Sequence, residues 1–222
     1  MTLSNKYGLL YMNSNFLQQL VNWPNYFISG TELKSMLPGT EDARKAIIKR
    51  AVHEGYLQRL RRDYYLIHHI PNKPMINTFE LAQFIYGPSY ISFESALSYH
   101  GWIPEGVTVT CSATVKQTKS LNTPVGEFSF EKIPNNSFKL GVSHIKEESA
   151  SYLMADPWKA IADMIYCRKK TWGSINDLTL DLRIEEDSIK SHKLDLLSEL
   201  SEEYLHKFTK KTLQSFFKEL IK

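Results

Sequence analysis

The apolar residues of the first seventy positions are spaced as in helices. Segment 16–21 predicts a first helix. Ser29 and Glu32 fit a capping box, in which each side chain satisfies a backbone N–H of the other residue, and they predict a short second helix. Thr40 is a suitable cap for a third helix, and Gly55 is expected to end it. The pattern therefore predicts a short helix, a tight turn and a longer helix.

A β-hairpin is predicted directly after the third helix. Segment 56–67 has two β-favouring stretches around the polar turn Arg61-Arg62-Asp63. A helix-turn-helix followed by a hairpin is typical of a winged helix, a class of DNA-binding domain. We therefore predict a winged helix-turn-helix domain over residues 1–70.

A helical projection of the third helix separates an apolar side from a cationic side. At about 100° per residue, the predicted buried face comprises Ala43, Ile47, Ile48 and Ala51. Small Ala46 on the opposite side would let the helix approach a surface closely. The predicted DNA-binding residues are Arg44, Lys45, Lys49, Arg50 and His53 of the helix and Arg59, Arg61 and Arg62 of the hairpin.

The charge distribution supports an anionic partner for this domain. The 222-residue chain has a net charge of +3, but residues 1–70 hold nine Lys/Arg against five Asp/Glu, and residues 71–222 hold 18 against 19. Lysine and arginine neutralise phosphates while helix side chains meet base edges in the major groove. A solvated surface is the alternative interpretation. The adjacency of a basic helix and a basic hairpin favours double-stranded DNA.

The remainder of the chain predicts a second domain of class α+β. The polar, proline-bearing stretch from His68 to Pro74 is the expected linker, and residues 75–222 form the second domain. Apolar and polar residues alternate from Val107 to Val115, which predicts a half-buried strand. Further strands are predicted near 128–130 and 140–144, and helices before and after them. We expect a small antiparallel sheet and a helical C-terminus.

Candidate chemistry is sparse. The sequence contains no phosphate-binding loop, nucleophile elbow or dinucleotide fingerprint. With only Cys111 and Cys167, it predicts neither a disulfide framework nor a thiolate metal cluster. We therefore predict a protein that is not an enzyme and has no catalytic residue, cofactor or metal. A nucleic-acid-cleaving enzyme using Asp156 or Asp163 is one alternative.

The location of the protein is predicted from its apolar segments. No apolar run approaches the roughly 18–20 residues of a membrane span, and residues 1–6 lack the apolar core of a signal peptide. We expect a cytoplasmic protein with no membrane partner. Because no heptad seam is visible, we expect a monomer or weak dimer.

Three segments of the second domain resemble the AbiEi-type antitoxins of bacterial AbiE toxin–antitoxin (abortive infection) systems. Residues 90–101, YISFESALSYHG, followed by Ile103-Pro104, are similar to the central signature of that family. Residues 155–166, ADPWKAIADMIY, resemble its second motif, and residues 123–130 fit the strand region between the two. Trp102 and Trp158 depart from the family, in which many members carry smaller or acidic side chains.

The resemblance implies a two-domain, type IV antitoxin. Its winged helix would bind inverted repeats in its own promoter and repress transcription. Its C-terminal domain would antagonise a cognate nucleotidyltransferase toxin, a process that need not involve a stable complex. The basic residues of the family's winged helix map onto Arg44, Lys45, Lys49, Arg50, Arg59, Arg61 and Arg62. A transcriptional regulator whose second domain senses a ligand or a protein partner is the alternative.

Overall fold

In the computed structural model, which describes residues 14–68 and 75–222, the chain divides into two units, Met1–Ile76 and Asn77–Lys222. Residues 69–74 of the predicted linker lie outside the described part. None of the helices in the described ranges is both long enough and apolar enough to cross a membrane.

The second and third helices of the first unit begin at the caps that the local sequence predicts, and the third ends just before Gly55. Ser29 Oγ accepts a hydrogen bond from Glu32 N at 3.2 Å, and Glu32 Oε2 accepts one from Ser29 N at 2.8 Å, which completes the capping box. Thr40 Oγ1 accepts from Ala43 N at 3.3 Å, and Gly55 follows the third helix with a φ of +81°. The helices are α1 (Ser14–Asn22), α2 (Gly30–Ser35) and α3 (Glu41–His53).

A three-stranded antiparallel sheet completes this unit. Its strands are β1 (Phe27–Ser29), β2 (Leu57–Arg61) and β3 (Tyr64–Ile67), in the order β1-β3-β2. The β2–β3 hairpin was predicted, and its turn residue Asp63 has a φ of +62°. Strand β1 was not predicted. One core joins the sheet to the helices, and it comprises Phe16, Leu20, Ile28, Leu33, Leu37, Ile48, Ala51, Leu57 and Ile67.

The predicted buried face of α3 is partly wrong. Ile48 and Ala51 are buried and Ile47 is half-buried, but Ala43 is exposed. Arg44 and Val52 are half-buried instead. Compared with the predicted orientation, the helix is rotated about its axis so that the side chains of Arg44 and Val52 face the core and Ala43 faces solvent. These side chains are larger than the methyl group at position 43, which contributes little apolar area to a core.

The second unit begins with two helices and two strands and ends with a run of helices. Residues 78–114 form α4 (Thr78–Tyr86), β4 (Ser89–Ile91), α5 (Phe93–Tyr99) and β5 (Val109–Thr114). They are followed by β6 (Lys119–Thr123), β7 (Gly126–Lys132), β8 (Val142–Lys146) and β9 (Ser151–Ala155). The remaining helices are α6 (Pro157–Arg168), α7 (Ile175–Leu182), α8 (Glu186–Ser191), α9 (Asp195–Glu203) and α10 (Lys207–Leu220).

The sheet of this unit is larger than predicted, and it is mixed instead of antiparallel. Its six strands lie in the order β6-β7-β5-β4-β9-β8. β4 pairs with β9 and β5 pairs with β7 in parallel, while the other neighbours are antiparallel. β5 is buried on both faces, since Ser112 and Thr114 of its polar side are fully covered. The half-buried strand expected from the alternating pattern is thus a central one.

A polar cluster lies buried beside this sheet. Lys159 and Asp163 of α6 are both fully buried, with Lys159 Nζ 2.5 Å from Asp163 Oδ1. Asp163 Oδ2 accepts hydrogen bonds from the hydroxyls of Tyr90, at 2.7 Å, and Ser92, at 2.8 Å. Burial and the Asp163 charge raise the pKa of Tyr90, so its hydroxyl stays protonated and donates. The cluster thereby links α6 to β4 and to Ser92, the residue that follows β4.

Candidate nucleic-acid interface

A groove with a cationic rim lies between α2, α3 and the β2–β3 hairpin. Its volume is about 370 Å³. Ile48, Val52 and Tyr65 supply apolar surface, and Gly30 lies at one end. The charged lining residues are Lys34, Lys45, Lys49, Arg59 and Asp63. Four cations against one carboxylate make this a concave surface that attracts anions.

Local structure explains why these cations face one another. Thr40 and Gly55 define the two ends of α3. Within this helix Lys45 and Lys49 lie on one side, because they are four residues apart. Arg59 is directly opposite Tyr65 in the register of the hairpin. The rotation of α3 then turns its two lysines toward the hairpin strand that carries Arg59.

The structure brings three of the predicted DNA-binding residues together in this groove: Lys45, Lys49 and Arg59. Arg50 and His53 are exposed on α3 but do not line the groove. Arg62 projects from the hairpin turn with 90% of its side chain exposed, and its Nε lies 3.6 Å from Asp63 Oδ2. Arg50 and Arg62 extend the cationic surface beyond the groove, and His53 adds an exposed imidazole.

Arg44 and Arg61 are held more closely to the protein than predicted. The Arg61 guanidinium lies 4.2 Å from the centre of the Tyr64 ring, a cation–π contact. Arg44 is half-buried, and its Nε is covered without a hydrogen-bond acceptor among the described residues. Both side chains therefore have less freedom to reach a partner than the lysines of the groove.

Lys34 is a groove cation that the sequence did not single out. It lies in the last turn of α2, between buried Leu33 and the helix end, and its Nζ is 2.8 Å from Glu41 Oε1. The same carboxylate oxygen is 3.6 Å from Lys45 Nζ. The hydrogen bond between Lys34 and Glu41 raises the pKa of Lys34 and lowers the pKa of Glu41. Glu41 is thus an internal counter-ion for two cations of the groove.

Other residues with candidate chemistry hold structural positions. Asp163 belongs to the buried ion pair, and Asp156 caps α6 while its Oδ2 lies 2.9 Å from His192 Nε2. Burial raises the pKa of Cys111 to about 11, so its thiol stays protonated at neutral pH. Among residues 14–68 and 75–222, no group of three or more potential ligands is placed to hold a metal ion.

No family model matches the chain, and no curated protein matches it in sequence.

Proposed function

We propose that residues 14–67 form a winged helix that binds double-stranded DNA. The observation that carries the proposal is the groove in which Lys34, Lys45, Lys49 and Arg59 come together from α2, α3 and the hairpin. The order of three helices and a three-stranded antiparallel sheet ending in a hairpin supports it. In this arrangement α3 enters the major groove and the hairpin lies along the neighbouring backbone.

The shape and charge of α3 suit that role. Ala46 and Asp42 are exposed on its outer side, with Lys49 next to them. A small side chain at position 46 permits close approach of the helix to base edges. The lysines neutralise phosphates, and an exposed aspartate can accept a hydrogen bond from the amino group of cytosine. Arg50 and Arg62 lie where they can reach phosphates beyond the groove.

The ion pairs of Glu41 are compatible with DNA binding. Its partners Lys34 and Lys45 have 32% and 58% of their side chains exposed, so the contacts are weak and screened by salt. A phosphate can replace the carboxylate as the partner of either lysine.

We further propose that the chain is an antitoxin that represses its own promoter. This part rests on the resemblance of residues 90–101 and 155–166 to AbiEi-type antitoxins. The second unit would then antagonise a nucleotidyltransferase toxin encoded by the adjacent gene. DNA binding and antitoxicity would reside in different units, and each can be tested without the other.

The DNA proposal is tested by reversing the charge of two groove lysines. We expect the double variant Lys45→Glu/Lys49→Glu to weaken binding to a labelled duplex from the chain's own promoter at least 100-fold, measured by fluorescence anisotropy. If about six cations neutralise phosphates, log Kd rises with log salt with a slope of about 5, and the variant lowers that slope by about 2. Lys211→Glu/Lys218→Glu on exposed positions of α10 is the matched control. Wild-type affinity in the Lys45/Lys49 variant would refute the proposed interface.

The antitoxin proposal is tested by co-expression with the adjacent gene. We expect the full chain to restore growth of cells that express the adjacent nucleotidyltransferase gene. The Lys45→Glu/Lys49→Glu variant should restore growth equally while losing repression of a promoter fusion. Absence of a toxin gene beside this one, or failure of the full chain to restore growth, would contradict antitoxin function and leave DNA binding to be judged by itself.

A further inference from the structure

The second unit contains a cavity that the proposed function does not use. Its volume is about 520 Å³, within the range of small-molecule sites. It lies where the loop before β5 passes over the start of α5 and the ends of α6 and α7. Its apolar lining comprises Ile103, Val107, Val109, Cys111 and Leu182.

The charged lining of this cavity is predominantly acidic. Glu94, Glu105 and Asp181 line it together with one cation, Arg168. Glu105 and Asp181 are paired with basic side chains outside the lining, Arg183 at 2.9 Å and Lys170 at 2.6 Å. Glu94 is paired with Arg168, but Arg168 is also paired with a second carboxylate, Glu131.

Arg168 is bound to two glutamates at once. Its Nε and Nη2 donate to Glu131 Oε1 at 3.1 and 2.9 Å, and its Nη1 donates to Glu94 Oε1. The guanidinium also lies over the Phe93 ring, 4.9 Å from its centre. One cation therefore faces two carboxylates in a partly buried position, which leaves one negative charge in excess.

The second oxygen of Glu94 lacks a hydrogen-bond partner. Glu94 Oε2 is covered from solvent and accepts no hydrogen bond from any described residue. A buried carboxylate oxygen without a donor destabilises a structure, and such atoms in native proteins usually mark a missing partner. Glu94 lines the cavity, so its charge acts on a molecule bound there even though Oε2 itself is covered.

We propose that this cavity binds a small organic cation. Its protonated amine or guanidinium lies beside Glu94 and offsets the excess negative charge around Arg168. Its hydrocarbon or aromatic body lies against Ile103, Val107, Val109 and Leu182. The inference is independent of DNA binding by the first unit, because it rests only on residues of the second unit.

Three probes that differ mainly in their head group test this assignment on the full chain: 2-phenylethylamine, 2-phenylethanol and phenylacetate. Binding is measured by protein-observed NMR titration. We expect the amine to bind at least five-fold more tightly than the alcohol and phenylacetate not to bind. Equal affinity of amine and alcohol would refute the role of Glu94, and no binding of the amine would refute the proposal as a whole.

Two variants locate the site. Glu94→Gln keeps an oxygen for Arg168 but removes the charge. It should weaken amine binding at least five-fold and leave binding of the alcohol unchanged. Glu148→Gln, at an exposed position, is its control. Thr108→Trp places a large side chain at the exposed edge of the cavity and should abolish binding, whereas Thr171→Trp should not. Undiminished amine binding in Glu94→Gln or Thr108→Trp would place the ligand elsewhere and overturn the assignment.

Discussion

Removing one partner of the Lys159–Asp163 pair should destabilise the second unit strongly. Both side chains are fully buried, and Asp163 also accepts hydrogen bonds from Tyr90 and Ser92. Asp163→Asn preserves the shape of the side chain but removes its charge. Lys159 is then a fully buried cation without a counter-ion.

The expected magnitude follows from two opposing electrostatic terms. At a separation of 2.5 Å and an effective dielectric constant of about 20, the Coulombic attraction is about 7 kcal/mol. Removing two ions from water costs several kcal/mol for each, so the intact pair adds little net stability. Breaking it leaves one desolvation cost uncompensated, and we expect Asp163→Asn to reduce the free energy of unfolding by about 3–5 kcal/mol.

Replacing both partners should cost less than the sum of the single changes. Lys159→Met/Asp163→Leu removes both charges and leaves only the hydroxyls of Tyr90 and Ser92 without their acceptor, at about 1–3 kcal/mol each. In the cycle of Lys159→Met, Asp163→Leu and the double variant, we expect the summed losses of unfolding free energy in the two singles to exceed the loss in the double by at least about 2 kcal/mol.

Urea unfolding monitored by tryptophan fluorescence measures these changes, because three of the four tryptophans, Trp102, Trp158 and Trp172, lie in the second unit. Glu186→Gln is the matched control, since Glu186 and Lys190 form a pair with the same spacing at 2.7 Å but on the surface, and its loss should leave the unfolding midpoint unchanged. A loss below about 1 kcal/mol for Asp163→Asn, or additive effects, would refute the argument.

Two further outcomes test the local chemistry. Ser29→Ala removes the hydroxyl of the capping box and should cost about 1 kcal/mol, detected as faster hydrogen exchange of the α2 amides; Ser35→Ala, at the other end of that helix, should have no such effect. Because burial raises the pKa of Cys111 from 9.0 to about 11, alkylation of this thiol by iodoacetamide at pH 7 should be roughly 100-fold slower than in the urea-unfolded chain. Peptide mass spectrometry measures that rate, and comparable labelling in both states would contradict the burial of Cys111.

The parts of the fold that local sequence determines were predictable. The Ser29–Glu32 box, the Thr40 cap and the left-handed Gly55 each depend on residues within one helical turn. The hairpin was predictable for the same reason, since its turn Arg62-Asp63 is polar and joins two adjacent β-favouring segments. Three of the predicted cations, Lys45, Lys49 and Arg59, do come together in one groove.

The features that depend on distant residues were not predictable from local patterns. The rotation of α3 is set by packing against the rest of the unit, so Ala43 was wrongly expected to be buried. Lys34 joins the groove only because α2 lies beside α3. The burial of Asp163 likewise depends on Tyr90 and Ser92, more than seventy residues earlier.

The parallel pairing of β4 with β9 has a consequence for synthesis of the protein. Ile91 lies opposite Met154, so the middle of the sheet closes only after some sixty intervening residues have left the ribosome. Such long-range closure makes folding slow compared with the first unit, whose most widely separated strand partners, Phe27 and Leu66, are 39 positions apart. A nascent or truncated chain that stops before β9 exposes one edge of β4, which favours aggregation or proteolysis. The sheet of the second unit therefore closes only after residue 155 has been synthesised, when every strand of the first unit is already available.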